Sequence, residues 1–276
     1  LGEVWGFRTN GYYTVYDPVS NPNGDLIWGD GEWTLRDGLK DNSQTITGGA
    51  YSPGGLKLQC DENGNPIKQR LGNTVAPLTG GFGFNGNVGN FDFNLFFNYS
   101  LGNVIINGTK LASSFRSGSR TGYNLNSDFA LGNRYTWIDP ETGLNLASSS
   151  SAVLETYGSM TEAGLRLNQL NRNASIFHPA AVTTMQLIDY AVEDASFLRI
   201  NNITVGYTLP KTWVKKAFLQ NVRIYLTGYN LFCWTNYTGA DPEVDTSSKR
   251  NALTPGVDYA AYPKSRSFVG GINITF

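Results

Sequence analysis

From Ser267 to Phe276 the chain alternates strictly between two kinds of side chain. Phe268, Gly270, Ile272, Ile274 and Phe276 fall on one face of an extended strand, with Ser267, Val269, Gly271, Asn273 and Thr275 on the other. Period two sustained over about ten residues predicts a β-strand long enough to cross a bilayer at a tilt. Its polar face is small and uncharged, as suits a strand lining a lumen. The alternation recurs upstream. Phe91, Phe93, Leu95, Phe97 and Tyr99 share a face against Asp92, Asn94, Asn98 and Ser100, with Phe96 out of pattern. Phe82, Phe84 and Val88 precede them, and Gly89-Asn90 predicts a two-residue turn closing a hairpin. Ile203, Val205, Tyr207 and Leu209 form another apolar face, stopped by Pro210. Val222, Ile224, Leu226 and Gly228 follow, against Arg223, Tyr225, Thr227 and Tyr229.

The connections differ sharply in length. Between the last two of these strands, Pro210 and the spacing of Trp213, Ala217 and Gln220 predict one or two helical turns. Trp213 beside Lys215 and Lys216 suits a connector at a membrane interface. Residues 12–77 and 112–194 carry no sustained periodicity and are rich in Gly, Asn, Ser and Asp. Loops of that length are uncommon in compact soluble domains, whereas outer-membrane barrels combine short turns on one side with long extracellular loops on the other.

In hydrocarbon every backbone donor and acceptor needs a partner, so a spanning sheet must close. Five clear strands and four or five weaker ones, among them Val4–Tyr16 and Leu101–Lys110, give a count of roughly ten. The expected fold class is therefore all-β: a transmembrane antiparallel β-barrel, either a small one or a portion of a larger one.

Composition narrows the partners. The 276 residues carry a formal charge of −1 and only 16% charged side chains, which provides no basic footprint for nucleic acid. The 32 Gly, 15 Tyr and 15 Phe suit many strands joined by turns and meeting a lipid bilayer. No apolar run approaches the ~20 residues of a spanning helix. The opening Leu1-Gly2-Glu3-Val4-Trp5 has no initiator Met, basic leader or apolar export core, so the chain reads as processed or cut from something longer. Cys60 and Cys233 are too few for a disulfide framework.

Four ordered segments then identify a resemblance. Asp194-Ala-Ser-Phe-Leu-Arg-Ile-Asn-Asn-Ile-Thr-Val-Gly-Tyr-Thr-Leu-Pro210 resembles a signature of the SusC/RagA-like outer-membrane transporters. Val222-Arg-Ile-Tyr-Leu-Thr-Gly-Tyr-Asn-Leu-Phe232 is similar to the family's following strand, and Trp234-Thr-Asn-Tyr-Thr-Gly-Ala-Asp-Pro-Glu243 to its continuation. Thr254-Pro-Gly-Val-Asp-Tyr-Ala-Ala-Tyr-Pro263 and the strand ending at Phe276 resemble its carboxy-terminus in order and spacing. Weaker echoes lie in Gly72–Lys110 and in Trp5-Gly-Phe-Arg-Thr-Asn-Gly-Tyr-Tyr13.

The resemblance implies a barrel of about 22 strands plugged by an amino-terminal domain. It implies import of oligosaccharides or peptides, energised by the TonB complex, beneath a SusD-like lipoprotein lid. It also implies the outer membrane of a Gram-negative, Bacteroidota-type cell, with Phe276 read by the insertion machinery. The plug, the TonB-contacting segment and the first half of such a barrel are not among these residues. Residues 1–276 are accordingly expected to form its carboxy-terminal part, held by the remainder as another chain or segment. Two other readings stay open: a passive pore or adhesion barrel, and a secreted glycan-binding β-sandwich.

Candidate chemistry is sparse. Asp61-Glu-Asn-Gly-Asn65 resembles an oxygen-rich calcium loop but lacks its last acidic residue, so a polar turn is expected. His178 is the only histidine, and nothing arranges Ser175 as its nucleophile, so no catalytic residue, cofactor or metal is assigned and the chain is not expected to be an enzyme. Tyr135, Trp137 and Trp234 are candidates for stacking on sugar or packing on peptide, against a role as interfacial anchors. Asp241 and Glu243 are candidates for contact with substrate or lid, against a role in folding their own loop.

Overall fold

The alternation becomes one antiparallel sheet in a computed structural model, which describes residues 2–116, 124–184, 186–246 and 255–276. Thr254, the first residue of one resemblance motif, lies outside the described residues. The sheet comprises β1 (Leu78–Val88), β2 (Phe91–Leu101), β3 (Phe197–Thr208), β4 (Asn221–Thr235) and β5 (Ser267–Thr275), each paired with its neighbours in chain order. The β1–β2 turn is Gly89-Asn90 and the β3–β4 connector runs only from 209 to 220, whereas β2–β3 and β4–β5 are joined by far longer segments. Short connections therefore share one end of the sheet and long ones the other, as in an outer-membrane barrel.

Register sorts the side chains. Val88, Phe91, Tyr207, Ile224 and Ile272 form one row across all five strands. Gly86, Phe93, Val205, Leu226 and Gly270 form the next, then Phe84, Leu95, Ile203, Gly228 and Phe268. Rows of the opposite face read Asn87, Asp92, Gly206, Tyr225, Gly271 and Asn85, Asn94, Thr204, Thr227, Val269. A ten-residue strand spans about 33 Å, or roughly 24 Å of bilayer when tilted, close to the ~25 Å apolar band of such barrels. Phe84 is 59% exposed and Ile272 62%. Among the described residues no second sheet covers this apolar face, which argues against a sandwich core. Phe96, the residue out of pattern, sits on the polar face over Gly81 and Gly83, whose missing side chains make room for its ring.

One irregularity has a large effect. Pairing of β3 slips with both neighbours between Ile200 and Asn202, so Asn201 is an extra residue in a β-bulge. Without it, Arg199 would share parity with Ile203 and Val205 on the apolar face. The bulge reverses that parity and sets Arg199 opposite Asn98 and Cys233 on the polar face.

The expected count of roughly ten strands divides. Five enter the long sheet; the weaker segments are short and pair elsewhere. Val4–Tyr16 contributes Glu3–Phe7 and Thr9–Tyr12, the latter pairing with Leu56–Leu58. Leu101–Lys110 contributes Val104–Asn107, parallel to Val257–Asp258, before a helical turn begins at Gly108. Four or five residues extend too little to cross a bilayer. Within the described residues β1 and β5 are open edges.

The chain divides into two units, one chiefly Gly72–Asn107 and Glu193–Phe276, the other Val4–Leu71 and Gly108–Val192. The first holds the sheet. The second contains most of the aperiodic stretches, and they are folded rather than featureless. A hairpin of Leu26–Gly29 and Glu32–Leu35 turns through Asp30 and Gly31, both left-handed, with Trp28 and Trp33 edge to face at 5.1 Å. Helix α1 (Ser151–Tyr157) is capped by Ser150 and α2 (Met160–Leu170) by Ser159, whose hydroxyl accepts the Glu162 N–H. Met160, Ala163, Gly164 and Leu167 give α2 its buried stripe. A Cβ at Gly164 would lie 2.7 Å from the Trp33 ring, so glycine permits that close approach.

Candidate functional site

The polar face of the sheet is almost wholly amide, hydroxyl and glycine. Its one pair of charges in the regular rows is Asp92 on β2 and Arg223 on β4, with Arg223 Nε donating to Asp92 Oδ1 at 2.8 Å. They meet across β3 because the intervening position, Gly206, has no side chain. Thr204 and Thr227 join hydroxyls at 2.9 Å on the same face.

Beyond the bulge lies a denser cluster. Arg199 Nη2 donates to Asp241 Oδ1 at 2.6 Å, and Arg199 Nε lies 2.7 Å from Glu243 Oε2, a charge contact outside hydrogen-bond geometry. Lys264 Nζ reaches the same Glu243 oxygen at 2.8 Å. The Asp241 carboxylate also accepts the backbone N–H of Glu243 at 3.0 Å and of Lys264 at 3.2 Å. Arg199 and Asp241 are both buried. Charges taken so far from water persist only when paired and hydrogen-bonded. The cluster therefore ties the β4–β5 connection to the wall.

Asp241 is thus committed to folding its loop, with both oxygens occupied. Glu243 is partly exposed and accepts from Asn98 Nδ2 at 3.4 Å. It borders a cleft of about 450 Å³ lined also by Tyr99, Phe197 and Asn98, whose Oδ1 is buried without a partner. Trp234 is 53% exposed on the apolar face and stacks with Phe232 at 6.2 Å. With Phe82 stacked on Phe97 at 4.9 Å, it belongs to an aromatic end of the apolar band, the anchoring arrangement rather than a lumen contact.

In the second unit Tyr135 is a correction to the expected substrate contact: it is 0% exposed, edge to face with Tyr12 at 5.1 Å, and fills the core. Trp137 is half-buried, stacked on His178 at 3.7 Å and donating Nε1–H to Pro53 O at 2.7 Å. Burial, with Arg134 and Arg116 nearby, pushes the His178 pKa down to about 3, so the imidazole is neutral and its Nδ1 accepts the Ala180 N–H. Ser175 Oγ donates to Asn133 O at 3.3 Å. Asp61 Oδ1 accepts the N–H groups of Asn63 and Asn65 at 2.9 and 2.8 Å, which makes this segment a capped turn and holds the carboxyl below its usual range. Cys60 and Cys233 are free thiols. Phe276 ends β5 fully in the open, beside the connector through Gln220 N–H to Thr275 O at 2.8 Å.

A two-faced sheet of bilayer length, lined on one side by neutral polar groups, defines a wall of a transmembrane β-barrel. No family model matches the chain. TonB-dependent receptor P3 of Formosa agariphila is 28% identical over 242 residues, covering 86% of this chain and 20% of the relative. The TonB-dependent receptor SusC of Bacteroides thetaiotaomicron is 31% identical over 127 residues, 45% of this chain and 12% of the relative. The RagAB peptide importer in its closed-closed state superposes with a TM-score of 0.57 at 19% identity, over 99% of this chain and 23% of that one, which bears on the fold alone. The chain spans about a fifth of the length of the first of these curated relatives. In sequence it is similar to these TonB-dependent receptors, SusC among them, and in fold to a portion of an outer-membrane transporter barrel.

Proposed function

We propose that this chain supplies part of the wall and extracellular face of an outer-membrane importer that takes up oligosaccharides or peptides with energy from TonB. The observation that carries the reading is the sheet itself: apolar rows on one face, a nearly neutral polar wall on the other. Residues 12–77 and 112–194 form its extracellular loops. A SusD-like lipoprotein covers the mouth, and the remaining strands and plug come from the rest of the protein. Phe276 serves as the insertion signal, and Trp137 and Glu243 remain the aromatic and acidic candidates for substrate or lid. The site is the outer membrane of a Bacteroidota-type cell, and its role is transport rather than catalysis.

The test uses the complete transporter in its own cell. Uptake of labelled oligosaccharides and peptides is measured with the transporter intact, deleted, or deprived of TonB, and the surface lipoprotein that co-purifies is identified. Uptake that requires both transporter and TonB is expected. Uptake that survives loss of TonB points to a passive pore, and absence of uptake with retained surface binding points to an adhesin.

A further inference from the structure

The β3–β4 connector begins and ends on the last apolar row of the sheet, where Leu209 N–H donates to Val222 O at 2.8 Å and Val222 pairs with Ile274. It folds as a helical turn, Lys211–Val214, followed by a tighter one, Lys215–Ala217. Val214 is its buried residue. Everything else points to a missing environment. Trp213 is 62% exposed and Phe218 is 94% exposed. Phe218 moreover adopts a left-handed backbone, φ 59° and ψ 28°, a conformation that bulky residues rarely take. A short connector could end in glycine at that position at lower conformational cost, and nothing among the described residues covers the ring in return.

Around these two rings stand Lys211, Lys215 and Lys216, all exposed and none in an ion pair among the described residues. From Leu209 to Asn221 there is no acidic side chain. Three unpaired ammonium groups flanking two bare aromatics, continuous with an apolar band, match the layer where acyl chains meet phosphate. Short connections mark the inward side of an outer-membrane barrel.

We infer that this connector is a binding site for anionic phospholipid headgroups, in which Trp213 and Phe218 enter the acyl boundary and the three lysines hold the phosphate. The occupant is a lipid rather than free phosphate, because the rings require hydrocarbon beside the charge. Each lysine near an anionic surface contributes about a fivefold preference, so three give on the order of a hundredfold.

The complete transporter, purified in mild detergent, is titrated with phosphatidylglycerol and with phosphatidylcholine and bound lipids are counted by native mass spectrometry. Wild type is expected to prefer phosphatidylglycerol, K211Q/K215Q/K216Q to lose that preference, and W213A/F218A to bind both lipids more weakly while keeping it. The mobility of the unheated protein on a gel reports that the barrel is folded. Should the triple variant not fold, K216Q alone is expected to lose about fivefold. Equal binding of the two lipids by wild type, an undiminished preference in the lysine variant, or displacement of lipid by inorganic phosphate alone overturns the inference.

Discussion

Arg199→Ala removes the guanidinium that faces Asp241 and leaves that carboxylate, 3% exposed, with only the N–H groups of Glu243 and Lys264. Breaking a buried ion pair from one side costs about 3–5 kcal/mol, because the surviving charge stays desolvated. Here the loop can respond. Because Tyr237, Thr238 and Asp258 hold the segment after β4 through other contacts, the lower end of that range is expected to appear as local opening around Asp241 and Lys264 rather than loss of the barrel. Three kcal/mol corresponds to roughly a hundredfold or more in the population of the open form, and proteolysis tracks that population when opening and closing are fast. Limited trypsin digestion of the folded full-length protein, followed at the bonds after Lys264 and Arg266, reads it directly. Cleavage at least tenfold faster than in wild type is expected for R199A, with unheated gel mobility unchanged. The double variant R199M/D241L removes both charges and is expected to recover most of the protection. A single variant cleaved at the wild-type rate, or a double variant as labile as the single, would refute the desolvation account.

Gly206→Ala places a methyl against both the Asp92 carboxylate and the Arg223 guanidinium. Because that pair is about a quarter to a third exposed, urea unfolding followed by tryptophan fluorescence is expected to show a loss of only about 1 kcal/mol, not additive with Asp92→Asn. In the second unit, Asp139 accepts Tyr157 Oη–H at 2.6 Å, Arg166 Nε–H at 2.9 Å and the Glu141 N–H at 2.8 Å, and Arg166 foremost holds its pKa down at about 2. A depressed carboxyl stabilises the folded state above its ordinary value near 4 and loses that contribution as pH falls through 2. Protection factors of the α2 amides, taken relative to intrinsic exchange at each pH, are therefore expected to fall below pH 4, and Asp139→Asn to abolish that acid dependence at a cost of about 1–3 kcal/mol.

The membrane strands were legible because a spanning strand with one greasy and one polar face must write period two into its sequence. Phe91–Tyr99 and Phe268–Phe276 show it without help from anything distant in the chain. The second unit was not legible for the opposite reason. Its helices are short and its core is assembled from Tyr13, Trp33, Tyr135, Leu146 and Leu167, far apart in sequence. Local signals were present: Ser159 three residues before Glu162 is a capping box ahead of Met160, Ala163 and Leu167, and Asp30-Gly31 between Trp28 and Trp33 is a hairpin turn. Each occupies too few residues to stand out against the Gly, Asn and Ser around it. Tyr135 illustrates the cost, since a tyrosine in an apparent loop invites a binding role until the core closes over it.

The site posed a different problem. Arg199 and the pair Asp241 and Glu243 are each plain in the sequence, 42 or more residues apart, yet period two alone puts Arg199 on the apolar face with Ile203 and Val205. An arginine directed at lipid is expensive, so that assignment carried its own contradiction. Two resolutions existed: the strand is not a membrane strand, or its register breaks between Arg199 and Ile203. The Asn201 bulge is the second. A lone charge of wrong parity in an otherwise regular spanning strand thus marks a bulge and, on the far side of it, an acidic partner. The same logic leads from Arg223, which has the right parity and needs no bulge, to Asp92 within the regular rows.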